Sequence, residues 1–395
     1  MNKPRLLFLT SRFPFPLEKG DKLRAYHFIR QFGRQFDVYL FAINETPPTT
    51  EQLAALAPYC KAIETAVITK AQSVSSMSVR HRMPFQVAYF YTKESQLKLD
   101  KFARLTQADV VFCHLIRMAE YVKNLPVKIK AIDYMDAFAK GMERYREKSQ
   151  WWMKVPAHLE YKRLRSYEHE VFDRFQYHTI ISEQDRGHIL HPESGKIEVI
   201  PNGVDFDYFH PIEAEKKYDI LFTGHLSYPP NIASAEYTAK EIFPLLKKSN
   251  PAATALIAGA EPVQKVKALE GNGITIRGWM DDIREAFASS RVMVAPMLIS
   301  IGLQNKILQA MIMKIPCVIS PMANNALGAT HGRDVFVAHT PEEYCRYIEK
   351  LLHEPAVYSS MAEQGYRFIR ENFSWEHHAG KVSAALLNMT ATPNG

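Results

Sequence analysis

Short apolar segments alternate with stretches of helical periodicity along the whole chain. The apolar segments are continuous, as in RLLFLT near the start and YDILFT after the midpoint, and a helical pattern over residues 22–36 follows the first of them. Strands buried on both faces have this pattern, and they occur in parallel sheets covered by helices. The predicted strands are Arg5–Thr10, Asp37–Ile43, Ala62–Ile68, Asp109–Cys113, Ile129–Asp133, Thr179–Ser182, Ile197–Ile200, Tyr218–Thr223, Ala253–Ala258, Ile274–Arg277, Val292–Ala295, Cys317–Ser320 and Asp334–Ala338.

The second half of the chain repeats the scheme of the first half. Two successive sets of strands and helices predict an α/β chain with two doubly wound, Rossmann-like domains. A length of 395 residues fits two domains, and the turn Pro201-Asn202-Gly203 after a predicted strand marks their boundary. We predict a first domain over residues 1–200, a second over residues 201–375, and a helix and tail over residues 376–395 that return to the first domain.

Residues 140–176 are expected to form one long, charged helical region that Pro156 breaks or kinks. Trp151 and Trp152 lie inside this region. A basic helix with paired tryptophans is typical of a surface that lies on an anionic membrane. The alternative is that both tryptophans pack against the sheet.

Composition is ordinary for a globular protein, with 47% apolar and 23% charged residues, and excludes a collagen or a disordered tail. The net charge of +7 is uneven, because residues 1–200 hold 31 basic and 22 acidic residues. A basic first half attracts phosphates, nucleic acid or an anionic membrane. The four cysteines have no zinc or disulfide spacing, which favours a cytoplasmic protein. No apolar run is long enough for a signal peptide or a membrane span.

Several common functional motifs do not occur in the sequence. It contains no GxGxxG, no Walker A motif and no HExxH, so nicotinamide, P-loop and zinc-protease functions have no support. It also contains no basic-aromatic recognition motif, and we expect no nucleic-acid partner.

The second half contains four glycine-bearing motifs in order, namely VIPNGVD at 199–205, LFTGHL at 221–226, GWMDDI at 278–283 and GLQNKILQAM at 302–311. They resemble the donor domain of retaining glycosyltransferases of the GT-B group, family 4, in particular sugar transferases of bacterial exopolysaccharide clusters. The resemblance implies a GT-B fold with two domains facing a cleft. It also implies transfer of a sugar from a nucleotide-sugar donor to a polysaccharide or lipid-linked glycan acceptor, without cofactor or metal. The basic first half and the paired tryptophans indicate a cytoplasmic protein that docks on the inner face of the cytoplasmic membrane.

The last motif departs from the family at two positions. The family often has two glutamates eight positions apart, where this chain has Ile301 and Gln309. Gln309 still forms hydrogen bonds, without the charge of a carboxylate. Two alternatives therefore stay open, a non-catalytic GT-B scaffold subunit of a polysaccharide assembly complex and a GT-B sugar-nucleotide epimerase.

The donor site needs hydrogen-bond donors aimed at the diphosphate leaving group, where charge develops during transfer. We predict that Lys306 contacts a phosphate, with the alternative of a solvated cation at a helix start. Gly224 lets backbone approach a ligand, while His225 is a candidate phosphate donor and Trp279 a candidate base-stacking or core residue. The predicted donor-binding residues are Gly224, His225, Gly278, Trp279, Gly302, Leu303, Gln304, Asn305, Lys306 and Gln309.

The acceptor side is predicted at the carboxyl ends of strands in the first domain. Gly20 allows close approach, Asp21 is a good helix N-cap, and Arg24 is placed to reach an anionic acceptor. His114 and Asp136 follow neighbouring strands and are the candidates for orienting or deprotonating the acceptor hydroxyl. The leaving phosphate can also take this proton, so the base remains a hypothesis.

Overall fold

The chain divides into two compact units. The N-terminal unit comprises residues 1–202 and 375–395, and the C-terminal unit comprises residues 203–374. The computed structural model describes residues 3–79, 83–299 and 303–391. No helix in these three ranges is both long and apolar enough to cross a membrane.

Within its described residues, the N-terminal unit is built on a seven-stranded parallel sheet in the order β3-β2-β1-β4-β5-β6-β7. Its strands are β1 Arg5–Thr10, β2 Asp37–Asn44, β3 Ala62–Val67, β4 Val110–His114, β5 Ile129–Asp133, β6 Tyr177–Ile180 and β7 Glu198–Val199. Its helices are α1 Gly20–Phe32, α2 Thr50–Leu56, α3 Lys70–Val79, α4 Phe85–Ala88, α5 Lys93–Thr106, α6 Ala119–Val122, α7 Phe138–Lys148, α8 Trp151–Phe172 and α9 Glu183–Arg186, with 3-10 turns at Ile116–Met118 and Ser194–Lys196.

The described part of the C-terminal unit contains a six-stranded parallel sheet in the order β10-β9-β8-β11-β12-β13. Its strands are β8 Tyr218–Thr223, β9 Ala255–Ala258, β10 Ile274–Arg277, β11 Ser290–Ala295, β12 Cys317–Ile319 and β13 Phe336–Val337. Its helices are α10 Pro229–Tyr237, α11 Phe243–Ser249, α12 Gln264–Lys267, α13 Arg284–Ala288, α14 Asn305–Ile312, α15 Pro321–Leu327, α16 Pro341–His353 and α17 Pro355–Asn372, with a π-helical turn at Thr238–Ile242.

The last helix, α18 Trp375–Ala391, belongs to the N-terminal unit. Its buried apolar residues Ala379, Val382 and Leu386 join the same core cluster as Phe28 of α1. The Trp375 ring stacks on His27 with the ring centroids 4.7 Å apart. One layer of the N-terminal core is therefore completed by residues that follow the whole C-terminal unit in sequence.

Both faces of the N-terminal sheet are buried. Leu7 and Leu9 of β1 face one apolar cluster, and Leu6 and Phe8 face the other. All four side chains have no exposed surface. This double burial accounts for the continuous apolar runs in the sequence.

The predicted single helical region over residues 140–176 is two helices, α7 and α8, which separate at Ser149 and Gln150. Helix α8 continues through Pro156, so a break there is wrong, while the kink stays a prediction. Proline disturbs the carbonyl four residues earlier, which belongs to Trp152. Residues 151–156 are all exposed, so water can satisfy that carbonyl.

A buried ion pair lies at the carboxyl end of β5. The Nε and one terminal nitrogen of Arg24 each donate to Asp133, at 2.8 Å. Neither side chain has any exposed surface. The other terminal nitrogen of Arg24 donates to the Ile200 carbonyl at 2.8 Å and to Asn202 Oδ1 at 3.0 Å. The pair therefore joins α1 to the centre of the sheet and to the end of the unit's first segment.

Asp133 also accepts hydrogen bonds from Thr179 Oγ1 at 2.9 Å and faces His114 Nδ1 at 2.9 Å. Burial alone would raise the pKa of Asp133, but Arg24 and His114 together hold it well below the usual range. A depressed carboxyl pKa stabilises the fold above the unfolded-state pKa, and this stabilisation is lost as the pH falls through the folded-state value.

We predict that Asp133→Asn lowers the free energy of unfolding by about 3–5 kcal/mol at pH 7, because it leaves Arg24 as an uncompensated buried charge. Urea unfolding measures the change. The difference from the parent should shrink below about pH 4, where the parent carboxylate begins to lose its own contribution. The control is Asp37→Asn in the exposed pair with Lys61, expected to stay within about 0.5 kcal/mol. Equal effects of the two substitutions would contradict the assignment.

Candidate functional site

The C-terminal sheet has its topological switch point between β8 and β11, because the chain runs outward from β8 to β10 and then returns to β11 beside β8. In open parallel sheets, ligands bind at the carboxyl ends of the strands at this point. Gly224 directly follows β8, and α14 follows the loop after β11. The motifs LFTGHL and GLQNKILQAM therefore both lie at the switch point.

Gly224 packs against a second glycine, Gly259, which follows β9. The Gly224 N–H donates to the Ala258 carbonyl at 3.1 Å. A Cβ on Gly259 would lie 1.7 Å from the Gly224 carbonyl oxygen, and the φ of Gly259 is +149°. Only glycine fits there. Gly259 is not among the site residues predicted from the sequence, although a glycine directly after the predicted strand ATALIA is a usable signal.

Lys306 lies in the first turn of α14 and is only 9% exposed. Its Nζ donates to Asn231 Oδ1 at 2.6 Å and lies 4.5 Å from the centroid of the Phe222 ring. A Cβ added to Gly224 would lie 3.0 Å from the same Nζ. The ammonium group therefore sits beside the Gly224 backbone, and the alternative of a solvated helix-start cation is wrong.

The charge of Lys306 has no acidic partner. No carboxylate within the described ranges forms an ion pair with it, and burial lowers its pKa to about 7. A buried cation is costly unless an anion compensates it. Asn231 supplies one neutral acceptor, and the sequence analysis did not select it as a site residue. A bound anion next to this ammonium group would compensate its charge.

The neighbours of Lys306 in the last motif are also inside the unit. Gln304 is buried in the extended backbone before α14, while Leu303, Asn305 and Gln309 are half-buried. Gly302, one of the predicted donor-binding residues, lies outside the described residues, as does Ile301. The roles of these residues toward a donor stay predictions.

A second feature lies at the carboxyl end of β10. The indole of Trp279 is 71% exposed, and its Nε1 donates to Asp281 Oδ1 at 3.1 Å. The ring borders an open cavity of about 480 Å³. Trp279 is therefore not a core residue, and an exposed aromatic face beside a cavity can stack on a base. The cavity is lined by Ile276, Arg277, Gly278, Trp279, Met280, Asp281, Asp282 and Glu285.

The acidic pair Asp281-Asp282 is engaged in protein contacts. Asp282 accepts two bonds from Arg284 Nε, at 2.9 and 3.0 Å, and one from the Tyr208 hydroxyl at 3.1 Å. The bond from Arg284 lowers the pKa of Asp282 to about 2.

His225 is exposed in the loop after β8, with Nδ1 3.0 Å from Ser227 Oγ. Its predicted phosphate contact stays a prediction.

In the N-terminal unit, two of the predicted site residues are tied into a buried hydrogen-bond network. Arg24 is fully buried and donates to Asp133, Ile200 and Asn202. Its predicted contact with an acceptor would require this network to break. His114 is also fully buried, with Nδ1 at Asp133 and Nε2 3.0 Å from the Asp21 carbonyl. Its predicted role as a base would likewise require one of these bonds to break.

Asp21 is not the N-cap of α1. The helix begins at Gly20 with Lys19 as its N-cap, and the Asp21 carboxylate instead binds Arg12 at 2.6 Å. Burial would raise the pKa of Asp21, but Arg12 lowers it below the usual value. Gly20 is exposed at the helix start, where an added Cβ would come within 3.3 Å of Met135 Cε.

Asp136 follows β5 and is an exposed residue, although the surrounding protein desolvates its carboxyl group. Desolvation by the surrounding protein and then the charge of Asp185 raise its pKa to about 6. An accessible carboxylate with a raised pKa fits the demands on a general base near neutral pH. Of the two predicted catalytic residues, Asp136 is the one whose carboxylate can reach a ligand without breaking a buried network.

The sequence profile of the family "Glycosyl transferases group 1" matches residues 217–354, about a third of the chain. A relative from Klebsiella pneumoniae, named "Uncharacterized 44.6 kDa protein in cps region", is 23% identical over 177 residues, 42% of this chain and 46% of that protein. The chain spans less than half the length of the curated relatives it matches.

Solved structures resemble the whole chain. Sucrose-phosphate synthase from Thermosynechococcus elongatus superposes with a TM-score of 0.69 at 13% identity, covering 98% of this chain and 99% of that one. Anabaena HepE, in a complex with UDP and glucose, gives a TM-score of 0.67 at 12% identity, covering 98% of this chain and 100% of that one. The chain has the GT-B fold. At this identity the likeness concerns the fold alone.

We predict that Gly259→Ala destabilises the C-terminal unit by more than about 3 kcal/mol, because the added methyl group overlaps the Gly224 carbonyl and the backbone conformation disfavours alanine. Urea unfolding measures the loss. The control is Gly278→Ala, where the nearest atom to the new methyl group is 3.8 Å away on Pro262. A Gly259→Ala protein as stable as the control would show that the two loops do not hold each other.

Proposed function

We propose that this protein is a glycosyltransferase that moves a sugar, with retention, from a nucleotide-sugar donor to a polysaccharide or lipid-linked glycan acceptor. The donor would bind the C-terminal unit at the β8/β11 switch point, and the acceptor would bind the N-terminal unit. The nucleotide sugar is a substrate in this scheme, and no cofactor is required.

The buried Lys306 ammonium is the observation that carries the proposal. It lies at the carboxyl edge of a parallel sheet, in the first turn of a helix and without a carboxylate partner among the described residues. A diphosphate supplies the missing negative charge. Because charge grows on the diphosphate as the sugar leaves, a fixed cation there stabilises the transition state more than the ground state.

The comparisons support the same proposal. The matched family segment, residues 217–354, includes the Gly224 loop, Trp279 and Lys306. Anabaena HepE, which shares the fold, has been solved with UDP and with UDP-glucose. The exposed Trp279 indole beside the 480 Å³ cavity would contact the base of such a donor.

Gln309 bears on whether the chain is active or a non-catalytic scaffold. A glutamine keeps two hydrogen bonds toward a ribose but loses the charge-assisted part, a difference of about 1 kcal/mol. Enzymes lower their barriers by about 8 kcal/mol or more. The free-energy difference between glutamine and glutamate at this position is therefore too small to abolish transfer by itself.

We predict that Lys306→Ala lowers the rate of sugar transfer, or of donor hydrolysis without acceptor, by about 10²-fold or more. Gln309→Glu should leave the rate within about tenfold. Both are measured with the donor selected by a thermal-shift panel of nucleotide sugars. Negligible effects of both substitutions would remove the proposed phosphate site and favour the scaffold function.

The pH dependence of donor binding separates electrostatics from packing. With a pKa of about 7, Lys306 is mostly protonated at pH 6 and mostly neutral at pH 8. The affinity for UDP-glucose, whose diphosphate does not titrate in this range, should therefore fall by roughly tenfold from pH 6 to pH 8. Isothermal titration calorimetry should show proton uptake on binding that disappears in Lys306→Ala. A flat profile in the parent would contradict the role of its charge.

We further propose that the protein acts in the cytoplasm and docks on the anionic inner face of the membrane through the start of α8. Trp151 is 79% and Trp152 is 55% exposed, so packing against the sheet, the alternative considered from sequence, is wrong. All residues from 151 to 156 are exposed, and Val155 and Leu159 extend the apolar surface.

Charge around this helix start favours an anionic surface. Residues 140–165 hold eight basic and three acidic side chains. One of the acids, Glu160, is buried and binds the backbone N–H groups of Phe85 and Gln86, so it does not offset the surface charge. Tryptophans beside a basic helix insert at the headgroup level, and each nearby cation adds about 1 kcal/mol.

We predict that the double variant Trp151→Ser/Trp152→Ser loses most of its binding to phosphatidylglycerol-containing vesicles at low salt, because it removes the inserted rings. Co-sedimentation measures the bound fraction. The control is Leu97→Ser/Leu105→Ser on α5, where both leucines are also exposed. Binding that is equal in the two double variants, or absent in the parent at low salt, would count against docking through α8.

A further inference from the structure

The N-terminal sheet has its own switch point, between β1 and β4. The residues that follow these strands include two arginines that the sequence analysis did not select. Arg12 lies two residues after β1, and Arg117 lies in the 3-10 turn after β4. Ligands bind at this position in doubly wound sheets.

The two arginines share one aromatic ring. The Cζ of Arg12 is 5.9 Å from the centroid of Phe90, and the Cζ of Arg117 is 5.2 Å from it. Arg117 also lies 4.9 Å from the ring of Phe138. Rings on the faces of a guanidinium leave its in-plane N–H donors free to meet a ligand.

The bonding of the two arginines is uneven. Arg12 has a carboxylate partner, Asp21, at 2.6 Å, and its side chain is 34% exposed. Arg117 donates one bond to Gln86 Oε1 at 3.2 Å, and its buried Nε has no partner. In the described part of the chain, Arg117 forms no ion pair, although the charges of Asp21 and Asp136 act on it from a distance.

Burial, followed by the charge of Arg12, lowers the pKa of Arg117 to about 10. Two like charges held near one ring repel each other. Only Arg12 has a carboxylate within ion-pair distance, whereas Asp21 and Asp136 act on Arg117 from further away. An anion placed between the guanidinium groups would satisfy both, and a phosphoryl group with several oxygens matches two guanidinium forks.

We propose that Arg12 and Arg117 form a subsite for a phosphoryl group, and that this group belongs to the acceptor. Binding itself follows from the arginine geometry alone, whereas the identity of the ligand as the acceptor rests on the proposed function. The acceptor class is therefore a phosphorylated or diphosphate-linked glycan precursor.

The test is calorimetric titration of the full chain with inorganic pyrophosphate. The parent should bind at two sites, of which Lys306→Ala removes one. In the Lys306→Ala background, Arg117→Gln and Arg12→Gln should each weaken the remaining site by at least tenfold. Arg104→Gln, an exposed arginine on α5, should leave it unchanged.

The outcomes separate the two proposals. If the site remaining in Lys306→Ala keeps its affinity in either arginine variant, the subsite is overturned and the donor site stands. If Lys306→Ala leaves pyrophosphate binding unchanged, the proposed donor site is overturned. The arginine subsite is then tested by the affinity of Arg117→Gln and Arg12→Gln for pyrophosphate. Arg117→Lys, which keeps the charge, should retain more affinity than Arg117→Gln. If Arg117→Gln does not fold, the test is made with Arg12→Gln, because the Arg12 side chain is partly exposed.

Two probes distinguish the source of the phosphoryl group. Farnesyl diphosphate in detergent micelles represents a lipid-linked acceptor, and glucose 6-phosphate represents a soluble one. The probe that displaces pyrophosphate from the arginine site, in the Lys306→Ala background, identifies the source. Displacement by neither probe overturns the assignment of the site to an acceptor.

Discussion

The ion pair between Arg24 and Asp133 has no exposed surface and lies where α1, the centre of the sheet and the end of the unit's first segment meet. Removing two charges from water is expensive, so such a pair persists only when its remaining hydrogen bonds are satisfied. Here Thr179, His114, Asn202 and the Ile200 carbonyl satisfy them. The position of α1, and with it that of Asp21 in the first turn of this helix, depends on this network.

Each unit has a buried cation near the switch point of its sheet, and the two cations differ in their partners. Beside the N-terminal switch point, the buried cation Arg24 is fully paired and becomes structural. At the C-terminal switch point, the Lys306 ammonium group contacts Asn231 and the Phe222 ring and forms no ion pair within the described ranges, and burial lowers its pKa to about 7. Perturbed groups without a structural partner are the better candidates for ligand contacts.

The strands could be predicted from the sequence because a strand that is buried on both faces of its sheet has a continuous run of apolar residues. β1, β5, β8 and β10 have the predicted bounds, and the other strands differ mainly at their ends. The break between α7 and α8 lies at Ser149 and Gln150 and not at Pro156, where the exposed start of α8 lets water reach the carbonyl that proline leaves without its helical partner.

The candidate site was only partly predictable. Lys306 and Trp279 were found through motifs, and the sequence could not show that Arg24 and His114 bond to a buried Asp133 from far along the chain. Residues such as Asn231, Gly259 and Arg117 matter through contacts between segments distant in sequence. Gly259 has a local signal, a glycine after a strand, but its contact with the Gly224 carbonyl is visible only in the fold.

The place of α18 has a consequence for synthesis on the ribosome. The C-terminal unit is one continuous segment, residues 203–374, and can fold as soon as it emerges. The N-terminal unit is interrupted, and Ala379, Val382 and Leu386 complete the core around Phe28 only after the whole C-terminal unit has been made. The first part of the chain to be translated is thus the last to close its core. Until then the apolar residues of α1 that α18 covers, Phe28 among them, lack this cover, and transiently exposed apolar surface of this kind is prone to aggregation.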